Sequence, residues 1–71
     1  MATTDLDKLR VLLPHWIEHN AEHADEFRLW AEKAQSSGRV DVAEQIALAA
    51  KQLDWVNEAL NMAIEKMALQ R

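Results

Sequence analysis

The chain has 71 residues, twelve acidic against eight basic for a net charge of −4, and no cysteine. That length holds one small domain, and the missing cysteine excludes disulfides and thiolate metal sites. So small a domain buries little core unaided, which leaves metal ligation through His and carboxylate, self-association, or both, to stabilise it.

The opening Met1-Ala2-Thr3-Thr4-Asp5 has no basic segment followed by an apolar run, so it does not read as a signal peptide. No apolar stretch approaches the roughly 20 residues that span a bilayer. The basic residues are scattered, whereas a nucleic-acid binder gathers them on one face. The expectation is a soluble cytoplasmic protein with neither membrane nor nucleic acid as partner.

Ala, Leu, Glu, Gln and Lys dominate, all good helix formers. Thr3 or Thr4 can cap a first helix, with Asp5 and Asp7 in its first turn where the dipole favours negative charge. Leu6, Leu9 and Leu13 lie on one side of it. Pro14 is welcome in a helix's first turn and unwelcome in its interior. The pattern therefore predicts a short helix over about 5–12, a bend, and a second helix over about 14–35. A single kinked helix is the alternative.

In the second segment Leu13, Ile17, Asn20, Ala24, Phe27, Ala31 and Ala34 recur at spacings of four and three, the seam of a helix packed lengthwise on a partner. Asn20 is its one polar member, and such a residue fixes register at some expense of stability. Trp16, His19, His23 and Trp30 flank the seam.

Ser36-Ser37-Gly38 is the clear turn, and Gly38 suits the left-handed position that ends a helix. Asp41 with Glu44 has the spacing of a capping box, so a third helix is expected over about 41–68. Val42, Ile46, Ala49, Leu53, Val56, Leu60, Ala63 and Met67 keep four-three spacing and are expected to pack on the histidine helix as an antiparallel hairpin. A second series, Leu48, Gln52, Trp55, Ala59, Met62, Lys66 and Leu69, sits elsewhere on the same helix. A hairpin has no partner for it. The expected fold is all-α, a short N-terminal helix plus a long antiparallel helical hairpin. It self-associates as a homo-oligomer, most simply a dimer forming a four-helix bundle, or docks a protein partner on the Leu48/Trp55/Met62 face. Alternatively the N-terminal helix folds back over that series.

All three histidines fall between His15 and His23, at spacings of four. On a helix they stack along one slowly drifting face. Imidazole is the commonest side-chain ligand for zinc, copper and nickel, and a pair at i and i+4 can chelate one ion. His15, His19 and His23 are candidate metal ligands, with Glu22 and Glu26 as oxygen donors or as partners that orient the rings. One helix cannot encircle an ion, so further ligands must come from another helix, a symmetry mate or water. A dimer axis near Trp16 and Trp30 would supply them. The competing reading is a row of ordinary His–Glu ion pairs on an exposed face. A ferritin-like oxidase wants Glu-x-x-His on paired helices, whereas the order here is His-x-x-Glu. Ser36 and Ser37 lie far from the histidines, and no phosphate loop or cofactor fingerprint is present, so no catalytic set is assigned. The three Trp read as interface and core, and Met62 and Met67 as packing.

The run Leu12-Leu13-Pro14-His15-Trp16-Ile17-Glu18-His19-Asn20-Ala21-Glu22-His23, followed by Glu26-Phe27 and Trp30-Ala31, resembles a small, poorly characterised prokaryotic helical family with an L-P-H-W-x-x-H-N-x-E-H motif and a second amphipathic helix. The resemblance spans about Leu12 to Met67. It implies that the histidines act as a unit with Asn20 and Glu22, and it points toward transition-metal handling. The functional expectation is binding of a divalent transition metal (nickel, zinc or copper) for storage, delivery or sensing. The alternatives are a metal-free interaction module and, behind it, a small ferritin-like metal-dependent enzyme.

Overall fold

The computed structural model describes residues 4–69, which form two long helices, α1 (Asp5–Ser36) and α2 (Val40–Leu69), packed along each other as a hairpin. Thr4 starts α1 from extended backbone, with φ −81° and ψ 163°. Its hydroxyl accepts from the Asp7 amide at 3.1 Å, and Asp7 accepts in return from the Thr4 amide at 3.3 Å. Two of the amides that a helix start leaves unpaired are thus satisfied reciprocally. Thr3, the other expected cap, lies outside the described residues.

The Thr4 hydroxyl bond, then the Thr4 amide and the Arg10 guanidinium at 2.8 Å, hold the Asp7 carboxyl below its ordinary value of 3.8. A depressed folded value means that the carboxylate stabilises the fold above the unfolded value and ceases to do so as pH falls through the folded one. We therefore expect the first turn of α1 to loosen on acidification below 3.8. An NMR pH titration of the Thr4 and Asp7 amides would show it, and Asp7→Asn should abolish that transition.

The expected break at Pro14 is absent: α1 runs unbroken through it. Proline removes one amide and crowds the carbonyl four residues back. What holds the helix together is packing. Leu13 is buried, Leu9 is half-buried, and a cleft joins Arg10, Leu13 and Pro14 to Ile64, Met67 and Ala68 near the end of α2. A break would uncover that apolar end. The N-terminal segment therefore extends α1 along α2 and does not fold over the series running from Leu48 to Leu69.

Gly38 closes α1 at φ +84°. Its amide donates to the Gln35 carbonyl at 3.0 Å, and the Arg39 amide donates to the Ala34 carbonyl at 2.9 Å. This is the paired 5→2 and 6→1 bonding of a Schellman end, which needs a left-handed residue where Gly38 stands. A Cβ there would meet nothing within 4 Å, so the resistance to a side chain is purely backbone. Gly38→Ala should cost about 1 kcal/mol, read as a lowered chemical-denaturation midpoint with unchanged slope. α2 begins at Val40, at the expected start. The Ala43 amide bonds the Arg39 carbonyl at 3.0 Å, and Asp41 turns to the Arg39 guanidinium at 3.3 Å instead of closing a capping box with Glu44.

Along α1 the seam is the expected one: Leu13, Ala24 and Ala31 are buried, and Ile17, Asn20, Phe27 and Ala34 half-buried. Along α2 most of the expected seam is half-buried: Ile46, Ala49, Leu53, Leu60, Ala63 and Met67 are, but Val42 and Val56 stay exposed, while Ala43 and Ala50 are buried and Asn57 and Ile64 half-buried beside them. The helix is turned by about 50° from the expected phase. The cause is a polar layer. Asn20 donates to the Asn57 side-chain carbonyl at 3.0 Å, and Asn57 donates to the backbone carbonyl of Ile17 at 3.0 Å. Two amides joined by one hydrogen bond, the second also bonded to backbone, can share the seam, whereas Asn20 against an apolar residue would be left unpaired.

The buried apolar residues are Leu13 and four alanines, and the Cα frame measures 57 × 21 × 11 Å. The hairpin is a single layer with a thin core of small side chains. None of the described helices is long and apolar enough to cross a membrane.

Candidate metal centre

The imidazoles do form one ladder. His15 and His19 are stacked with ring centroids 6.1 Å apart, His19 and His23 lie 4.6 Å apart with planes tilted by 57°, and His23 stands 6.1 Å from Phe27. The ladder climbs round the helix, because a step of four residues advances about 40° beyond a full turn. His15 leaves α1 on the side away from α2, and His19 from the flank. His23 occupies the same heptad place as Trp16 and Trp30, and Phe27 reaches the seam. All three histidines are exposed.

The closest pair, His19 and His23, can turn nitrogens toward one ion at the roughly 2.0–2.1 Å that imidazole ligation needs. Glu22 and Glu26 are also exposed, each three residues beyond a histidine of that pair. Among the described residues no hydrogen bond or ion pair joins an imidazole to a carboxylate, so the row of His–Glu ion pairs is not seen. Nor does any group of three or more His, Asp or Glu among the described residues converge closely enough to hold a metal ion. His15, His19, His23, Glu22 and Glu26 therefore share a helix but do not gather round a point within one chain. The geometry offers a two-imidazole half-site.

The surroundings of that half-site differ on the two sides of the hairpin. On one side Arg28 bridges to Asp54 across the helices and lies 3.5 Å from Asp25, and a groove is lined by Arg28, Glu32, Glu44, Lys51 and Asp54. These ion pairs are half exposed and worth little each. On the other side a groove of about 410 Å³ is lined by Phe27, Trp30, Ile46 and Ala49, with Glu26 and Gln45 at its edges. His23 lies on this apolar side. The Lys33 ammonium sits 4.7 Å over the Trp30 ring, covering part of it. Two further residues take part. Phe27, whose spacing places it in the seam, also continues the histidine ladder. Asn57, outside both apolar series of α2, mirrors Asn20 about the turn at Gly38 and bonds to it.

The molecule is thus a two-helix hairpin carrying a histidine ladder beside an apolar face. The chain belongs to the family described as "Domain of unknown function (DUF8180)", which matches residues 9–67. It is also similar to an "Uncharacterized protein" of Archaeoglobus fulgidus, 35% identical over 60 residues that cover 84% of this chain and 95% of that protein. No solved structure matches.

Proposed function

We propose that the protein binds a divalent transition metal through the His19–His23 pair, in a homo-oligomer, most simply a dimer, whose second copy completes the coordination. The observation that carries this is the 4.6 Å approach of those two rings. It is supported by their freedom from any carboxylate partner among the described residues. Two imidazoles from each of two copies make a four-nitrogen set, which suits zinc, copper or nickel and not magnesium. Glu22 and Glu26 stand close enough in sequence to add an oxygen or to orient a ring. His15, turned away from the hairpin, is the weakest ligand of the three. With two ligands per chain and no catalytic set, the role is storage, delivery or sensing, and the cytoplasm is the setting that fits.

Calorimetric titration of the apo-protein with nickel, zinc and copper tests this. Micromolar or tighter binding is expected for at least one metal. His19→Ala should weaken it at least tenfold and His15→Ala much less, because an i, i+4 chelate loses its second arm in the first variant only. Equal, weak binding by all three proteins would leave the competing reading, an interaction module. That reading is favoured by the exposed Leu48, Trp55 and Met62 on the back of α2, where a protein partner would dock.

A further inference from the structure

We infer that a second copy of this chain covers the apolar broad side of the hairpin, the side bearing Trp16, His23 and Trp30 on α1 and Val42, Ala49 and Val56 on α2, and leaves the Leu48–Trp55–Met62 ridge in water. The inference rests on the homo-oligomer reading above and adds the face, which decides which side chains the two copies share.

The face follows from the groove and the heptad. Trp30 and Ala49 line one groove together, so they lie on the same side of the hairpin. Trp16 and His23 stand two heptads and one heptad before Trp30, and Val42 and Val56 one heptad either side of Ala49, so they share that side. The opposite side carries the ion pairs. An isologous dimer needs a patch that complements itself, and the apolar side is the one with fewer charges, Glu26 at the groove's edge and the Lys33 ammonium over Trp30.

The area argues for a second copy as occupant. A compact protein of 8.1 kDa exposes about 4,500 Å² by the usual surface scaling. This chain exposes 5693 Å². The excess is roughly 1,200 Å² per copy, or about 2,400 Å² for a pair, within the range of obligate homodimers. The broad side of a frame 57 Å by 21 Å has a footprint of about the same 1,200 Å². A single helix's outer ridge is too narrow to hide that much. Domains are built from two packed layers, and a second hairpin is the layer missing here. The archaeal relative is matched over 95% of its own length, so in that protein little beyond the hairpin is left to cover such a side.

On this face two copies of His23 become interface residues with His19 at the rim, which is what a metal site shared between copies requires.

The chain has no cysteine, so single cysteines report position cleanly. Val56 and Leu48 are matched probes, 45% and 42% exposed in the hairpin. The experiment uses full-length protein in chelator, so that metal plays no part. It combines sedimentation equilibrium with alkylation rates of Val56→Cys and Leu48→Cys at concentrations where the mass is measured. The expected result is a mass twice that of the chain, with Val56→Cys at least tenfold slower than Leu48→Cys. A monomer mass with full helicity overturns this inference, and a monomer mass that persists with zinc in place of chelator overturns the oligomer reading as well. A dimer mass with Leu48→Cys protected, or with both thiols equally fast, overturns the face alone.

Discussion

Pro14→Ala is expected to raise the thermal midpoint by about 10 °C. Proline inside a helix costs about 3 kcal/mol through the lost amide and the crowded carbonyl of the preceding turn. Part of that is offset because proline also restricts the unfolded chain, by up to about 1 kcal/mol. The remaining gain of about 2 kcal/mol converts at about 4–8 °C per kcal/mol for a chain of this length. Pro14 is exposed, so alanine opens no cavity, and α1 already runs through the position. The check is a circular-dichroism melt of both proteins at one fixed concentration, because association makes the midpoint concentration-dependent. A midpoint unchanged or lowered would mean that the ring's contacts in the cleft with Ile64 and Met67 outweigh the backbone cost.

Pro14 marks the limit of local rules in this fold, because α1 runs through it. Local rules weigh the residue and its immediate neighbours, and by those rules 14 is a boundary. Leu9 and Leu13 tip the balance through residues some fifty positions away, which no window contains. The turn was legible because everything that makes it is local: a left-handed Gly38 and the residues beside it. The seam of α1 was legible because its apolar spacing had one consistent solution. That of α2 was legible only in part, because its apolar spacing runs through Val42 and Val56, whereas Ala43, Ala50, Asn57 and Ile64 also face α1. Asn57 fits no apolar pattern, yet its hydrogen bonds to Asn20 and Ile17 lie in that layer. The ladder of imidazoles was likewise legible from spacing alone. What spacing could not give is its climb round α1, which carries His15 away from the hairpin while His23 stays on the apolar side.

The Asn20–Asn57 layer yields the other large effect. Asn57→Leu removes the donor to the Ile17 carbonyl and the acceptor for Asn20, leaving a half-buried amide without a partner. The cost of such an orphaned group is about 1–3 kcal/mol, and about 2 kcal/mol is expected here. Asn20→Leu should cost a similar amount for the mirror reason. In the double variant Asn20→Leu/Asn57→Leu both polar groups leave together and the layer becomes apolar, a change that is near neutral or stabilising. The two single losses should therefore fail to add, with a coupling of about 1–3 kcal/mol in a double-mutant cycle read by chemical denaturation. Stability is only half of the outcome. In the wild type the polar pair is what holds α2 in its phase against the competing Val42/Val56 series. A buried polar residue in a helical seam fixes register at the expense of stability, and its removal frees the alternatives. The double variant is thus expected to melt higher while showing extra or broadened amide resonances in NMR. Additive single losses would mean that the two amides act independently. A double variant with one sharp set of resonances would mean that packing of Ala43 and Ala50 against α1, not hydrogen bonding, sets the phase of α2.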